Sequence, residues 1–208
     1  MKKVILFDFD GVIADTFRMI HSLNKDYHKL SEDKYRELFK SNIFTETKRI
    51  LNHQTEEDAK RHHDEWFEKY TPALLKQGIF VGMPEAIEEL SEDFDMVIIS
   101  SCESSAIRQF LEKHNLLSYF SDILGSDVHF DKSEKIQMVF DKYDYKNTDC
   151  IFVTDTVGDI LEAKEKEVPS LVVTWGYHRK EHFLNYDFIS FVESPGELPK
   201  LVRDYFKD

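Results

Sequence analysis

The stretch VILFDFDGVIADT, residues 4–16, opens with four apolar residues and then stops at Asp8. An unbroken apolar run of that length reads as a strand buried on both faces, although periodicity alone leaves a buried helix open. Three more such runs follow. Met96–Ile99 stops at Ser100, Cys150–Val153 stops at Thr154 and Asp155, and Leu171–Val173 stops at Thr174, Trp175 and Gly176. Ile123–Leu124, before Gly125, is a weaker fifth. Helical patterns lie between them. Pro84–Leu90 begins with a proline suited to a helix N-terminus. Ser104–His114 carries Ala106, Ile107, Phe110 and Leu111 on one face. Ser133 is a candidate cap for a helix through Ile136, Val139, Phe140 and Tyr143, and Val157–Lys166 is short and amphipathic. Alternating strands and helices predict an α/β fold with a doubly wound parallel sheet.

Residues 16–80 break this rhythm. Met19, Ile20 and Leu23, then Tyr35, Leu38 and Phe39, then Ile50 and Leu51, then Trp66, Phe67 and Tyr70 recur at helical spacings, with charged residues between them. The expected organisation is an α/β core from residues 1–15 and 81–208, with about four helices inserted at 16–80. Asp15 reads as the cap of the first inserted helix. The rings of Trp66, Phe67 and Tyr70 read as core of the insert.

The 208 residues include 27 basic and 40 acidic ones, a net charge of −13. That balance argues against nucleic acid or an anionic membrane as a main partner, but a lysine or a metal ion can reverse the field inside one cleft. Two cysteines, Cys102 and Cys150, make no disulfide framework and read as buried free thiols in a reducing compartment. No stretch approaches the ~20 apolar residues of a membrane span, and the N-terminal run is too short for a signal peptide. A soluble, cytoplasmic monomer or homodimer is expected.

The polar residues of interest sit where strands end, the edge at which open α/β sheets bind ligands. Asp8 and Asp10 follow the first strand, Ser100 the second, and Asp155 a later one, with Asp159 one helical turn on; Lys132 starts a helix. Crowded carboxylates cannot all ionise without a cation. A hard divalent ion such as Mg2+, held by carboxylates and substrate phosphate, answers this and suggests phosphoryl chemistry. A carboxylate can itself be the nucleophile.

These residues resemble the four motifs of the haloacid dehalogenase superfamily, in order. Asp8-Phe9-Asp10-Gly11-Val12 is similar to the first, Met96–Ser100 to the second, Lys132 to the third, and Val153-Thr154-Asp155-Thr156-Val157-Gly158-Asp159 to the fourth. The resemblance implies that Asp8 attacks phosphorus. It implies that Asp10 protonates the leaving alcohol, activates the water, and lends its backbone carbonyl to Mg2+. Asp8, Asp155 and Asp159 would complete the metal site. Ser100 and Lys132, with Gly11 and Ser101, would hold the phosphate. Asp10 favours phosphate chemistry, because halide displacement needs no proton. The insert is similar in position to the cap of the phosphoglycolate phosphatase and β-phosphoglucomutase branch, with Asn42-Ile43-Phe44 as a substrate-facing loop and Trp175-Gly176-Tyr177-His178 as a loop over the site.

Two departures stand out. Thr154 occupies a place where the motif commonly has glycine, and Lys135 competes with Lys132 one turn on. The expected activity is a Mg2+-dependent phosphatase for a small phosphorylated metabolite, with a phosphomutase of the same family as the alternative. A phosphoacceptor signalling domain fits badly, since Phe9 splits the acids and a middle strand ends in Ser100. A non-catalytic binding protein is the remaining alternative. His62-His63-Asp64 and His178 with His182 are the closest histidine clusters; no third metal ligand is placed, and the His178–His182 pair reads as a solvated face. Lys48 and Arg49 read as exposed helix charges that a substrate carboxylate would otherwise require.

Overall fold

A computed structural model describes residues 2–51 and 55–207. Six strands, β1 (Val4–Phe7), β2 (Asp95–Ile99), β3 (Asp122–Leu124), β4 (Cys150–Thr154), β5 (Ser170–Val173) and β6 (Ser190–Val192), form one sheet in the order β3-β2-β1-β4-β5-β6. Every neighbouring pair is parallel. β1 and β4 are buried along their whole length, which is why their sequences are continuous apolar runs. Helices α5 (Met83–Ser91), α6 (Ser104–Lys113), α7 (Lys132–Tyr143), α8 (Val157–Glu165) and α9 (Leu198–Lys207) cover the sheet. One core cluster joins Ile5, Phe7 and Ile98 to α5 and α6, and a second joins Leu6, Val97 and Phe152 to α7. The order turns back at β1, so the crevice between the ends of β1, β2 and β4 is the place where such a sheet receives ligands.

Between β1 and α5 the chain builds α1 (Phe17–His28), α2 (Glu32–Arg36), α3 (Ile43–Leu51) and α4 (Glu56–Leu74). Two short passages connect this helical insert to the core side by side. Asp15 N–H donates to the Gly78 carbonyl at 3.1 Å, Phe80 N–H donates to the Ile13 carbonyl at 3.2 Å, and Ala14 bridges Ile79 in antiparallel fashion.

Four details differ from the sequence reading. β6 was not anticipated, because Ser190–Val192 is short, only its last residue is buried, and it offers no apolar run. Helix α7 starts at Lys132 with Asp131 in the cap position, and Ser133 lies buried inside the first turn. Thr16, not Asp15, occupies the cap position of α1, and its hydroxyl is used elsewhere, 3.0 Å from the Tyr177 hydroxyl. Asn42-Ile43-Phe44 is not a free loop: Asn42 Oδ1 accepts from the Phe44 and Thr45 amides, so these residues open α3. Cys102 and Cys150 are free and buried. Among the described residues no helix is long and apolar enough to cross a membrane.

Candidate active site

Asp8 leaves the end of β1 and is 5% exposed. One carboxylate oxygen from each of Asp8, Asp155 and Asp159 falls within 4.8 Å of the others. Asp155 follows β4, and Asp159 sits in the first turn of α8, whose cap Thr156 accepts from the Asp159 amide at 3.3 Å. An acid at a helix N-terminus is favoured by the dipole and by the free amides there.

Lys132 enters from the first turn of α7. Its Nζ lies 2.8 Å from Asp8 Oδ1 and 2.8 Å from Asp159 Oδ2. Lys135 goes elsewhere: its Nζ donates to the Ser100 carbonyl at 2.6 Å. Burial, with Lys132 nearby, pushes the Lys135 ammonium down to about 7. Ser100 is fully buried, and its Oγ accepts from the Cys102 amide at 3.0 Å. Ser101 is half-buried and lines the cavity beside it.

Charge in the crevice is unbalanced. Burial raises Asp8 well above the usual carboxylate range, against the pull of Lys132. Burial likewise pushes Asp155 up to about 8, although the Tyr177 amide donates to its Oδ2 at 2.6 Å. Asp159 goes the other way: burial opposes its charge, but Lys132 and the Thr154 hydroxyl hold it below the ordinary value. One ammonium therefore faces three buried carboxylates. Asp155 Oδ1 is buried and has no hydrogen-bond partner among the described residues. An orphaned carboxylate oxygen in an all-oxygen cluster is what a hard divalent cation fits.

Asp10 stands apart from the three. Its Oδ1 accepts from the Tyr70 hydroxyl of α4 at 2.7 Å. Burial raises its pKa, with the hydrogen bonds from Tyr70 and Thr16 opposing. Helical spacing assigns Tyr70 to the core of the insert. It is fully buried and stacks on Trp66 at 4.7 Å, yet its hydroxyl reaches the site. Only the tertiary fold brings residue 70 to residue 10, so helical spacing gave no signal for it.

Gly11 and Gly176 enclose Asp155. A Cβ on Gly11 would lie 2.0 Å from Asp155 Oδ2 and its φ is +83°, while a Cβ on Gly176 would lie 2.3 Å from Asp155 Cβ. Thr154 does not crowd the loop. Its Oγ1 donates to Asp159 Oδ2 at 2.6 Å and accepts from the Thr156 amide at 3.2 Å. His178 corrects a second reading: it is 1% exposed, not on a solvated face. Its Nδ1 accepts from the Val157 amide at 3.0 Å and its Nε2 lies 2.8 Å from the Arg36 carbonyl, fastening the start of α8 to the insert. Arg36 in turn donates to the Tyr177 carbonyl.

Residues 5–173 match the family model described as haloacid dehalogenase-like hydrolase. The chain belongs to that family. A phosphoglycolate phosphatase of Vibrio parahaemolyticus is 26% identical, with 96% of each chain covered. Another from Aquifex aeolicus is 25% identical, with 98% of each covered. A haloacid dehalogenase-like hydrolase from Streptococcus pneumoniae superposes with a TM-score of 0.80 at 19% identity, covering 97% of this chain and 98% of that one, a likeness of fold. This haloacid dehalogenase-like hydrolase is thus an enzyme of the phosphatase kind, in the phosphoglycolate-phosphatase-like branch.

Proposed function

We propose that the chain is a Mg2+-dependent phosphomonoesterase acting on a small phosphorylated metabolite through a phosphorylated Asp8. The observation that carries this is the setting of Asp8: Lys132 at 2.8 Å, and a carboxylate oxygen from each of Asp155 and Asp159 within 4.8 Å. Asp8, Asp155 and Asp159, with the Asp10 backbone carbonyl, would hold the metal. When bound, it would offset the charge of the carboxylates and the phosphoryl oxygens.

A carboxylate oxygen of Asp8 attacks phosphorus, and the bond from phosphorus to the ester oxygen breaks. Asp10, whose proton affinity burial raises, gives a proton to the departing alkoxide. The ionised Asp10 then takes a proton from water. The resulting hydroxide displaces Asp8 from phosphorus, which restores the carboxylate and releases inorganic phosphate. Lys132, Ser100, Ser101 and the loop at Gly11 would position the phosphoryl oxygens, which is most of what phosphoryl transfer asks of a protein. The helical insert would act as a cap that excludes water from the first step. The buried free thiols support a reducing, cytoplasmic setting.

The test is hydrolysis of an aryl phosphate by wild type and Asp8→Asn, each with and without Mg2+. Metal-dependent turnover that disappears in the nearly isosteric variant supports the proposal. Turnover that survives the substitution removes Asp8 as the nucleophile.

A further inference from the structure

Between insert and core, over the carboxylates, lies a cavity of about 920 Å3. That is near the top of the ~300–1,000 Å3 range of pockets that bury drug-sized ligands, and far more than a two-carbon acid phosphate fills. Part of its wall is apolar and aromatic. Ile43 and Phe44 of α3, Trp66 and Phe67 of α4, and Phe130 of the loop before α7 all line it. The rings form a continuous set across the gap. Phe44 and Phe130 lie 4.6 Å apart, His63 and Phe67 4.6 Å, and His63 meets Phe130 edge-on at 5.9 Å.

Cations that would take a substrate carboxylate are engaged or peripheral. No arginine is among the described lining residues. Arg49 is exposed and makes two hydrogen bonds to Glu46, at 3.0 and 2.7 Å. Lys60 pairs with Asp64 at 2.6 Å, and Lys48, which also lines the cavity, is exposed. Glu103 and Asp127 add negative charge to the same lining. A carboxylate pressed on the aromatic part of the wall would lose hydration with only the exposed Lys48 as an unengaged cation in the described lining.

We propose that the substrate of this site is a phosphomonoester whose alcohol carries an uncharged aromatic ring, seated against the Phe44–Phe130 and His63–Phe67 faces. The inference rests on the phosphatase reading and fixes the substrate class within it. Offset or edge-on contacts between rings supply binding beyond simple burial.

The experiment compares kcat/KM for 2-phenylethyl phosphate and 2-phosphoglycolate with full-length enzyme in Mg2+. Both esters release primary alcohols, so leaving-group acidity does not set the preference. Phenylethyl phosphate is expected to be favoured about tenfold or more, the scale on which a filled apolar pocket discriminates. Phe44→Ala and Phe130→Ala sit at partly exposed positions where the fold tolerates truncation. Each is expected to lower the ratio between the two substrates about fivefold, within what an aromatic contact contributes. A preference for phosphoglycolate, or an unchanged ratio in both variants, overturns the inference and leaves the phosphatase reading standing. Absence of Mg2+-dependent turnover on either ester overturns both.

Discussion

The hydroxyl of Tyr70, carried by the insert, holds the carboxyl of Asp10, the proposed proton donor. Tyr70→Phe keeps the buried ring and removes the donor. We expect kcat to fall about tenfold with little change in KM, since a loosened catalytic group costs rate before affinity. The pH limb belonging to Asp10 should move upward, because the lost hydrogen bond favoured the ionised form. A mutant whose pH profile overlays that of wild type would reduce Tyr70 to packing. Thr154 is a second case. Its hydroxyl serves Asp159 and the Thr156 amide at once. Thr154→Val leaves two buried groups short of a partner, so unfolding in urea should show a loss of about 1–3 kcal/mol. An unchanged midpoint would mean that the surroundings close over the gap.

Strand ends and helix starts turn these residues into a site. Lys132 and Asp159 each lie in a helical first turn, and the parallel order of β2, β1 and β4 sets those turns beside Asp8. This much was legible in the sequence, because buried parallel strands are written as apolar runs and each run here stops at a polar residue. Strand β6 was not, since a half-exposed edge strand of three residues carries no such run. The places of Tyr70 and His178 were not legible either. Both are set by contacts between segments about 60 and 142 residues apart, to which local spacing is blind. The Gly176 turn belongs to this scale too. Gly176→Ala would drive a methyl into Asp155, whose Cβ lies 2.3 Å from the new atom's position. Apparent Mg2+ affinity, read from activity against metal concentration, should weaken at least about tenfold, as it does when support around a metal ligand is disturbed. Undiminished affinity would take Asp155 out of the metal site.

For the molecule as a whole, three buried carboxylates and one ammonium make folding sensitive to cations. Magnesium at a hundred times its dissociation constant should stabilise the protein by about 2.7 kcal/mol, and chelator should reverse this. Thermal melts of wild type and Asp155→Asn give the check: an equal shift in both would place the ion elsewhere. Acid acts through His178, which burial pushes down to about 4. The unfolded chain binds that proton near pH 6.5 and the folded chain does not, so the unfolded state gains protons first and stability declines as pH falls from 6.5 toward 4. At about 1.4 kcal/mol per pH unit, the full loss approaches about 3 kcal/mol. Asp8 and Asp155, with raised values, pull in the opposite sense, so the quantity to measure is the difference between wild type and His178→Gln. Parallel pH curves for the two would show that His178 titrates normally.

The neck at Ala14 and Ile79 carries one further consequence. Because the chain leaves the sheet and returns to it through neighbouring, hydrogen-bonded passages, everything between them is a closed excursion whose ends already meet. The strands constrain where that excursion begins and ends, while its contacts to the site, such as Tyr70 on Asp10 and Arg36 on His178, constrain what it carries. An exchange of the helical excursion would therefore leave the strands unaltered, provided the replacement restores a partner for Asp10 and for His178.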